Sequence, residues 1–219
     1  MTVGTVAPVL KPLKLKCTQS DCGNDLHCFL QKTQKPRPHG GPCRSCGKDL
    51  IDFPRVQARD LGDVAHTFEA LGHEWIRHEF WHRPFDLYAI NHARRKGMRL
   101  IREEYAANHI RQAVGKARHP REGRQTAYEG NVVSYAQHAV AACCRRCIEY
   151  WHGIPMGSPL TDHQVEFLKA LVLLYIERRL PDLNEEPVKV PSIRNAKPRK
   201  PSTRKASSRK PTVEQASHG

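Results

Sequence analysis

The 219-residue chain lacks a long apolar run: its longest, Ala170 to Ile176, falls far short of the roughly 20 residues that a membrane-spanning helix needs. Nor do its first residues join a basic stretch to an apolar core as a secretory leader does, so the chain is read as non-secreted and cytoplasmic, with no membrane partner. Acids are scarce too. Twenty-two Asp and Glu face 36 Lys and Arg, a formal net charge of +14, and a surplus of that size matches a polyanion, DNA before RNA. With 39% hydrophobic residues and 7% aromatics there is material for one medium domain and a small satellite, not for a large core.

What is present in quantity is metal-capable: eight Cys and 13 His. In a reducing compartment such cysteines are ligands, core residues or reactive groups rather than disulfides. Residues 1–16 read as a flexible lead-in, and 17–54 as the first structured unit. There, Cys17-x4-Cys22-Gly23 and Cys43-x2-Cys46-Gly47 are knuckle-like turns, in which a Gly after the second Cys supplies positive φ and turns backbone N–H groups toward sulfur. Two facing turns make a four-thiolate zinc site, Cys17, Cys22, Cys43 and Cys46, in a small zinc-ribbon-like β unit. His27, Cys28 and His39 are surplus donors, and one of them can replace Cys17. A segment with so few apolar side chains needs such a staple to fold.

From 55 to 183 the periodicity is helical. Leu61, Val64, Phe68, Leu71, Trp75, Ile76 and Phe80 predict one helix ending near His82, before Pro84. It carries His78-Glu79-Phe80-Trp81-His82, the spacing that in zinc peptidases sets two imidazoles on one face with a Glu beside the metal-bound water; Glu103 or Glu104 could be a third ligand. Pro84 and the neighbouring Arg77 argue against it, and a chain so rich in His produces the pattern by chance. The stretch from Asp86 to Ala117 reads as further helix punctuated at Gly97. Between Arg94 and Arg124 ten Lys and Arg meet three Glu, a stripe able to follow phosphates through Arg94, Arg95, Lys96, Arg99, Arg102 and Arg124, or simply a solvated face. Thr161 and Gln164 form a capping box ahead of a buried helix from Val165 to Arg179, stopped by Pro181.

The densest cluster lies between these parts. Residues Val132 to His152 read as mostly helical, and His138, Cys143, Cys144, Cys147 and His152 crowd its turns. Three readings stand open: a second zinc site, buried core thiols, and a thiolate activated by Arg145, Arg146 and His152. A metal-dependent nuclease using His138 or His152 is a further option, although its carboxylate partner is not identifiable.

Several blocks here carry a family likeness: Lys96-Gly97-Met98, Gly123-Arg124-Gln125-Thr126, Gly130, Ala136-Gln137-His138-Ala139, Cys143-Cys144-Arg145-x-Cys147, Trp151-His152-Gly153-Ile154 and Gly157-x2-Leu160-Thr161. Residues 92–183 resemble through them the bacterial family catalogued as domain of unknown function 4186. The likeness implies a domain and no particular reaction, and the N-terminal Cys-rich unit, the His-rich helix and the tail are additions to it.

Beyond Leu183 the composition is Pro, Ser, Lys and Arg. Residues 184–219 read as a disordered basic tail, gripping nucleic acid through Lys200, Arg204, Lys205, Arg209 and Lys210 among others. The expectation is therefore a mainly α protein with a zinc-ribbon-like unit and a basic tail. It binds zinc at one site, with room for a second, and binds nucleic acid; the alternatives are the nuclease of His138 and His152 and the metallopeptidase of His78, Glu79 and His82.

Overall fold

The computed structural model describes residues 15–31, 40–117 and 125–191. The lead-in to residue 14, His39, Arg124 and the basic positions from Lys200 to Lys210 lie outside the described residues. Within them the fold is mainly helical, and four of the eight α-helices start at a side chain that accepts from an orphan N–H group of the first turn. Asp52 accepts from Arg55 N at 3.1 Å and opens α1 (Phe53–Ala58), with Pro54 in its first turn. Asp86 accepts from Ala89 N at 2.9 Å and opens α4 (Leu87–Leu100), while Asn131 does the same for Val133 N at the head of α6 (Val132–Ala139). The expected capping box is in place on α8 (Asp162–Arg179): Thr161 Oγ1 accepts from Gln164 N, and Gln164 Oε1 accepts from Thr161 N.

The single helix expected up to His82 is instead two, α2 (Val64–Leu71) and α3 (Trp75–His82), behind a short 3-10 turn at Leu61–Asp63. The break has a cause outside the segment. His27 N donates to His73 O at 2.7 Å and Trp75 N donates to His27 O at 2.9 Å, so the backbone at 73–75 pairs with the Cys-rich segment and leaves the helical path. Glu74, between the two bonds, is extended at φ −92°, ψ 123°.

Gly97 sits at φ 73°, ψ 156° inside α4 and kinks it; a π-turn at Ile101–Tyr105 and α5 (Ala106–Val114) follow. The kink lets another strand of backbone approach. Met98 N donates to Asn184 O at 2.8 Å, Arg99 N to Glu185 O at 3.1 Å, and Val188 N to Arg94 O at 2.8 Å, so the segment read as the start of a loose tail is a strap along α4. The stretch 132–152 is mostly helical as expected, but in two helices, α6 and α7 (Arg145–His152), separated by a turn in which Ala141 takes φ 56°.

These helices share one core. α3 and α8 pack on α6, α5 and α2 on α8, and α1 on α7. Of the expected ribbon hairpins the described residues hold only two isolated bridges, Asp21 with Leu26 and His27 with Glu74. The unit is built of turns, and it is not a satellite: Phe29 and Phe53 meet the buried indole of Trp151 with ring centroids 5.8 Å and 5.5 Å apart. Burial of a side chain such as Phe29 contributes about 2–3 kcal/mol, enough to hold a segment with little secondary structure of its own. Among the described residues no helix is long and apolar enough to cross a membrane.

Candidate metal centres

The first centre gathers Cys22, His27, Cys43 and Cys46, whose ligand atoms all lie within 4.8 Å of one another. Cys22 and Cys43 sulfurs are 3.8 Å apart, and Nδ1 of His27 is 3.4 Å from the sulfur of Cys46. A tetrahedral zinc with bonds of about 2.3 Å to sulfur and about 2.0 Å to nitrogen has edges of about 3.8 Å and about 3.5 Å, so the spacing already fits the ion. His27 takes the place expected for Cys17, as one of the surplus donors could. Its other nitrogen, Nε2, is 3.0 Å from Oδ1 of Asp25, the carboxylate arrangement that fixes the tautomer of a metal-binding imidazole. Burial pulls the His27 pKa down, but Asp25 and the sulfurs of Cys43 and Cys46 outweigh it and raise the net value.

The second turn has the build of a knuckle and the first does not. Burial would raise the pKa of Cys43, but backbone N–H groups of Cys28, Cys46 and Ser45 aimed at its sulfur, with His27, bring it down to about 6. Cys22 has no such cradle, and burial, then Cys46 and Cys43, push it up to about 11. The positive φ needed by the second turn is at Gly47, 76°, as the pattern requires; in the first it falls on Asp25, 58°, and not on Gly23.

The second cluster is Cys143, Cys144 and Cys147, all buried and again with sulfurs within 4.8 Å of one another. Cys143 lies in the turn between α6 and α7, and Cys144 is the N-cap of α7. That break brings the sulfurs of Cys143 and Cys147 to 3.6 Å. Cys17, absent from the first centre, lies beside this cluster and outside the set within 4.8 Å: its thiol interacts with that of Cys147 and accepts from Gln125 Nε2 at 2.9 Å. Cys28, the other surplus thiol, joins neither cluster; it donates to Cys17 O at 3.4 Å, and burial first, then the Glu74 carboxylate, push its pKa up to about 11.

Neither histidine of the central segment points at this cluster as a ligand. His138 packs nearly parallel to both Phe80 and Tyr128, its centroid 4.3 Å and 4.7 Å from theirs, and Nε2 is 3.0 Å from Thr126 O. Its ring also faces the backbone of Ala127. His152 is fully buried with Nε2 3.0 Å from Val140 O. Burial lowers both to about 4, so both rings are neutral near pH 7.

Between the two clusters runs a buried ion pair that sequence reasoning missed. Glu74 accepts from Arg77 Nε at 2.9 Å and Trp151 Nε1 at 2.7 Å, and from the Tyr150 hydroxyl. Arg77 in turn donates to His138 O at 2.7 Å, to Tyr150 Oη at 2.9 Å and to Cys147 Sγ at 3.3 Å. Desolvation alone would lower the Arg77 pKa, yet the facing Tyr150, Cys147 and Glu74 hold it well above the ordinary value. The signal available in the sequence was the spacing of three residues on a helix, which surface pairs share.

His78 and His82 are side by side on α3, centroids 4.1 Å apart, at a cleft of about 350 Å³ lined also by Phe68, Trp81 and Arg178. His82 Nδ1 lies 3.0 Å from His78 O. Among the described residues, the two Cys clusters are the sets in which three or more ligand atoms converge, and neither includes His78, Glu79, His82, Glu103 or Glu104. The basic stripe is partly answered by carboxylates. Arg99 makes two bonds of 2.9 Å with Glu186, Arg102 makes two of 3.0 Å with Glu185, and Lys96 lies 3.9 Å over the Tyr105 ring. Arg94 and Arg95 are exposed.

No solved structure matches the chain. A family match covers residues 65–177, thus α2 to most of α8, with Arg77 and the Cys143–Cys147 cluster inside it and Cys17 and the whole first centre before it. That span is more than half of the sequence and starts well ahead of the blocks from Lys96 onward, so the chain belongs to the family described as Domain of unknown function (DUF4186).

Proposed function

We propose that the chain is a zinc-stabilised nucleic-acid-binding protein whose metal is structural. The observation that carries this reading is the closed ligand set of Cys22, His27, Cys43 and Cys46: four protein donors converge, with none of the open positions at which a catalytic zinc holds water. Thiolate and imidazole at these separations favour zinc among the common divalent ions. His138 and His152, the general-base candidates of the nuclease reading, are buried on backbone carbonyls, which favours binding over cleavage.

The nucleic-acid part rests on charge. The chain carries a net +14, and its grip falls to Arg94, Arg95 and the basic positions Arg124, Lys200, Arg204, Lys205, Arg209 and Lys210 more than to Arg99 and Arg102, which already hold carboxylates. The test is binding of the full chain to a short DNA duplex and to single-stranded RNA over a series of salt concentrations, with cleavage followed in the same samples. The reading expects association that weakens steeply with salt and leaves the nucleic acid intact. Salt-insensitive or absent association rejects it, and hydrolysis abolished by His138→Ala or His152→Ala replaces it with the nuclease.

A further inference from the structure

We propose that Cys17, Cys143, Cys144 and Cys147 are the four thiolate ligands of a second structural zinc ion, which fastens the N-terminal segment of the chain to the turn between α6 and α7. This centre is separate from that of Cys22, His27, Cys43 and Cys46, and either can hold if the other fails.

The geometry supplies the ligands first. Three sulfurs within 4.8 Å of one another occupy three corners, and the 3.6 Å between Cys143 and Cys147 is close to the edge of about 3.8 Å in a tetrahedral zinc-thiolate centre. The fourth corner needs a donor from another part of the chain. His138 and His152 each turn Nε2 to a carbonyl and stand outside the converging set, whereas the Cys17 thiol, just beyond that set, interacts with that of Cys147 and accepts from Gln125 Nε2 at 2.9 Å.

The surroundings supply the second argument. Buried thiols that only fill space need no donors, since a neutral sulfur is a weak acceptor. Here donors converge on sulfur. Arg77 Nη2 is 3.3 Å from Cys147 Sγ and Nη1 3.9 Å from Cys143 Sγ, Gln125 Nε2 is 2.9 Å from Cys17 Sγ, and the backbone N–H of Cys147 addresses Cys144 at the N-terminal end of α7. A guanidinium, an amide and a peptide N–H aimed at the three clustered sulfurs and at Cys17 beside them suit thiolates gathered on a cation. Several buried thiolates side by side are unstable without a cation among them, and a divalent ion with four thiolates leaves a net charge that Arg77 partly offsets. The ion would also explain why a segment with no regular secondary structure packs against the helical core at the half-buried Cys17.

The test is cadmium-113 substitution of the full-length protein, read by NMR together with metal content. Wild-type chain is expected to bind two ions and show two resonances, one in the range of four thiolates and one in the range of three thiolates with an imidazole. Cys17→Ala should remove or shift the all-thiolate resonance alone, and Cys17→His should keep the ion but move its resonance to the mixed range. Cys43→Ala should remove the other resonance. A wild-type spectrum without an all-thiolate signal overturns the proposal even if no variant folds, and so does a Cys17→Ala spectrum with both resonances in place.

Discussion

The guanidinium of Arg77, itself buried, lies 3.3 Å from the sulfur of Cys147, and on its other edge it pairs with Glu74 at 2.9 Å. One cation thus serves both a carboxylate bonded to the Cys-rich segment at Phe29 N and a thiol of the helical core. Removing it strands the carboxylate of Glu74, which is fully buried. Arg77→Met should cost about 3–5 kcal/mol of stability, the loss typical of breaking one side of a buried pair, measured by urea unfolding at constant metal. Arg77→Met with Glu74→Gln should recover part of that loss, because the stranded charge has gone.

Asp25 acts through His27. Asp25→Asn keeps the fold and should weaken metal affinity about 10–100-fold, as loss of a carboxylate behind a metal-bound imidazole does. Competition with a chromophoric chelator measures it. His27→Cys should retain the ion and His27→Ala should not, whereas Cys28→Ala, at a thiol outside both clusters, should leave stoichiometry unchanged.

Much of the first centre was legible. Cys22, Cys43 and Cys46 are visible as turns, and His27 stood among the surplus donors. The exchange of Cys17 for His27 was not, because it depends on Asp25 at φ 58°, a left-handed turn without Gly, and on Cys17 facing a cluster more than a hundred residues away. The capping box of α8 was readable because its signal is local. The break in α6–α7 was not, since Ala141 at φ 56° belongs to a residue with no preference for that turn. Nothing in the sequence marks Glu74 and Arg77 as a pair, and only tertiary packing tells a buried pair from a solvated one.

Acid should destabilise the protein through His152. An unfolded imidazole titrates near 6.5, and burial holds this one at about 4 in the fold. The folded chain therefore binds fewer protons between these values, so stability is full above pH 6.5 and declines as pH falls toward 4, by up to ~3 kcal/mol for one such group. His138, also held at about 4, adds a fall of the same sign. Urea midpoints between pH 7 and 5 should drop steeply in the wild-type chain and less so in His152→Gln.

Gly97 is required by the strap that crosses it. A Cβ there would lie 2.4 Å from Glu185 O and 2.7 Å from Glu186 C, both backbone atoms, in a residue already at φ 73°. Gly97→Ala should cost about 1–3 kcal/mol and speed hydrogen exchange at Met98 N, Arg99 N and Val188 N, the amides that tie α4 to the strap. The exposed Arg99 and Arg102 would then lose their partners Glu186 and Glu185 and become free for phosphate.

If the basic positions near the C-terminus carry the grip on nucleic acid, replacing Lys200, Arg204, Lys205, Arg209 and Lys210 with Gln should lower the slope of log affinity against log salt by about four, close to one unit for each lost phosphate contact. Arg94→Gln and Arg95→Gln should lower it by about one unit each. An unchanged slope in the tail variant would move the interface elsewhere.

The central claim is that a structural metal holds this fold together. Native mass spectrometry of the full-length chain, before and after a strong chelator, with a thermal melt of each sample, tests it most directly. The account predicts bound zinc in the untreated protein and a melting temperature that collapses when the zinc is removed, since binding free energy is folding free energy in such sites. A metal-free chain that melts at the same temperature with or without added zinc would contradict it.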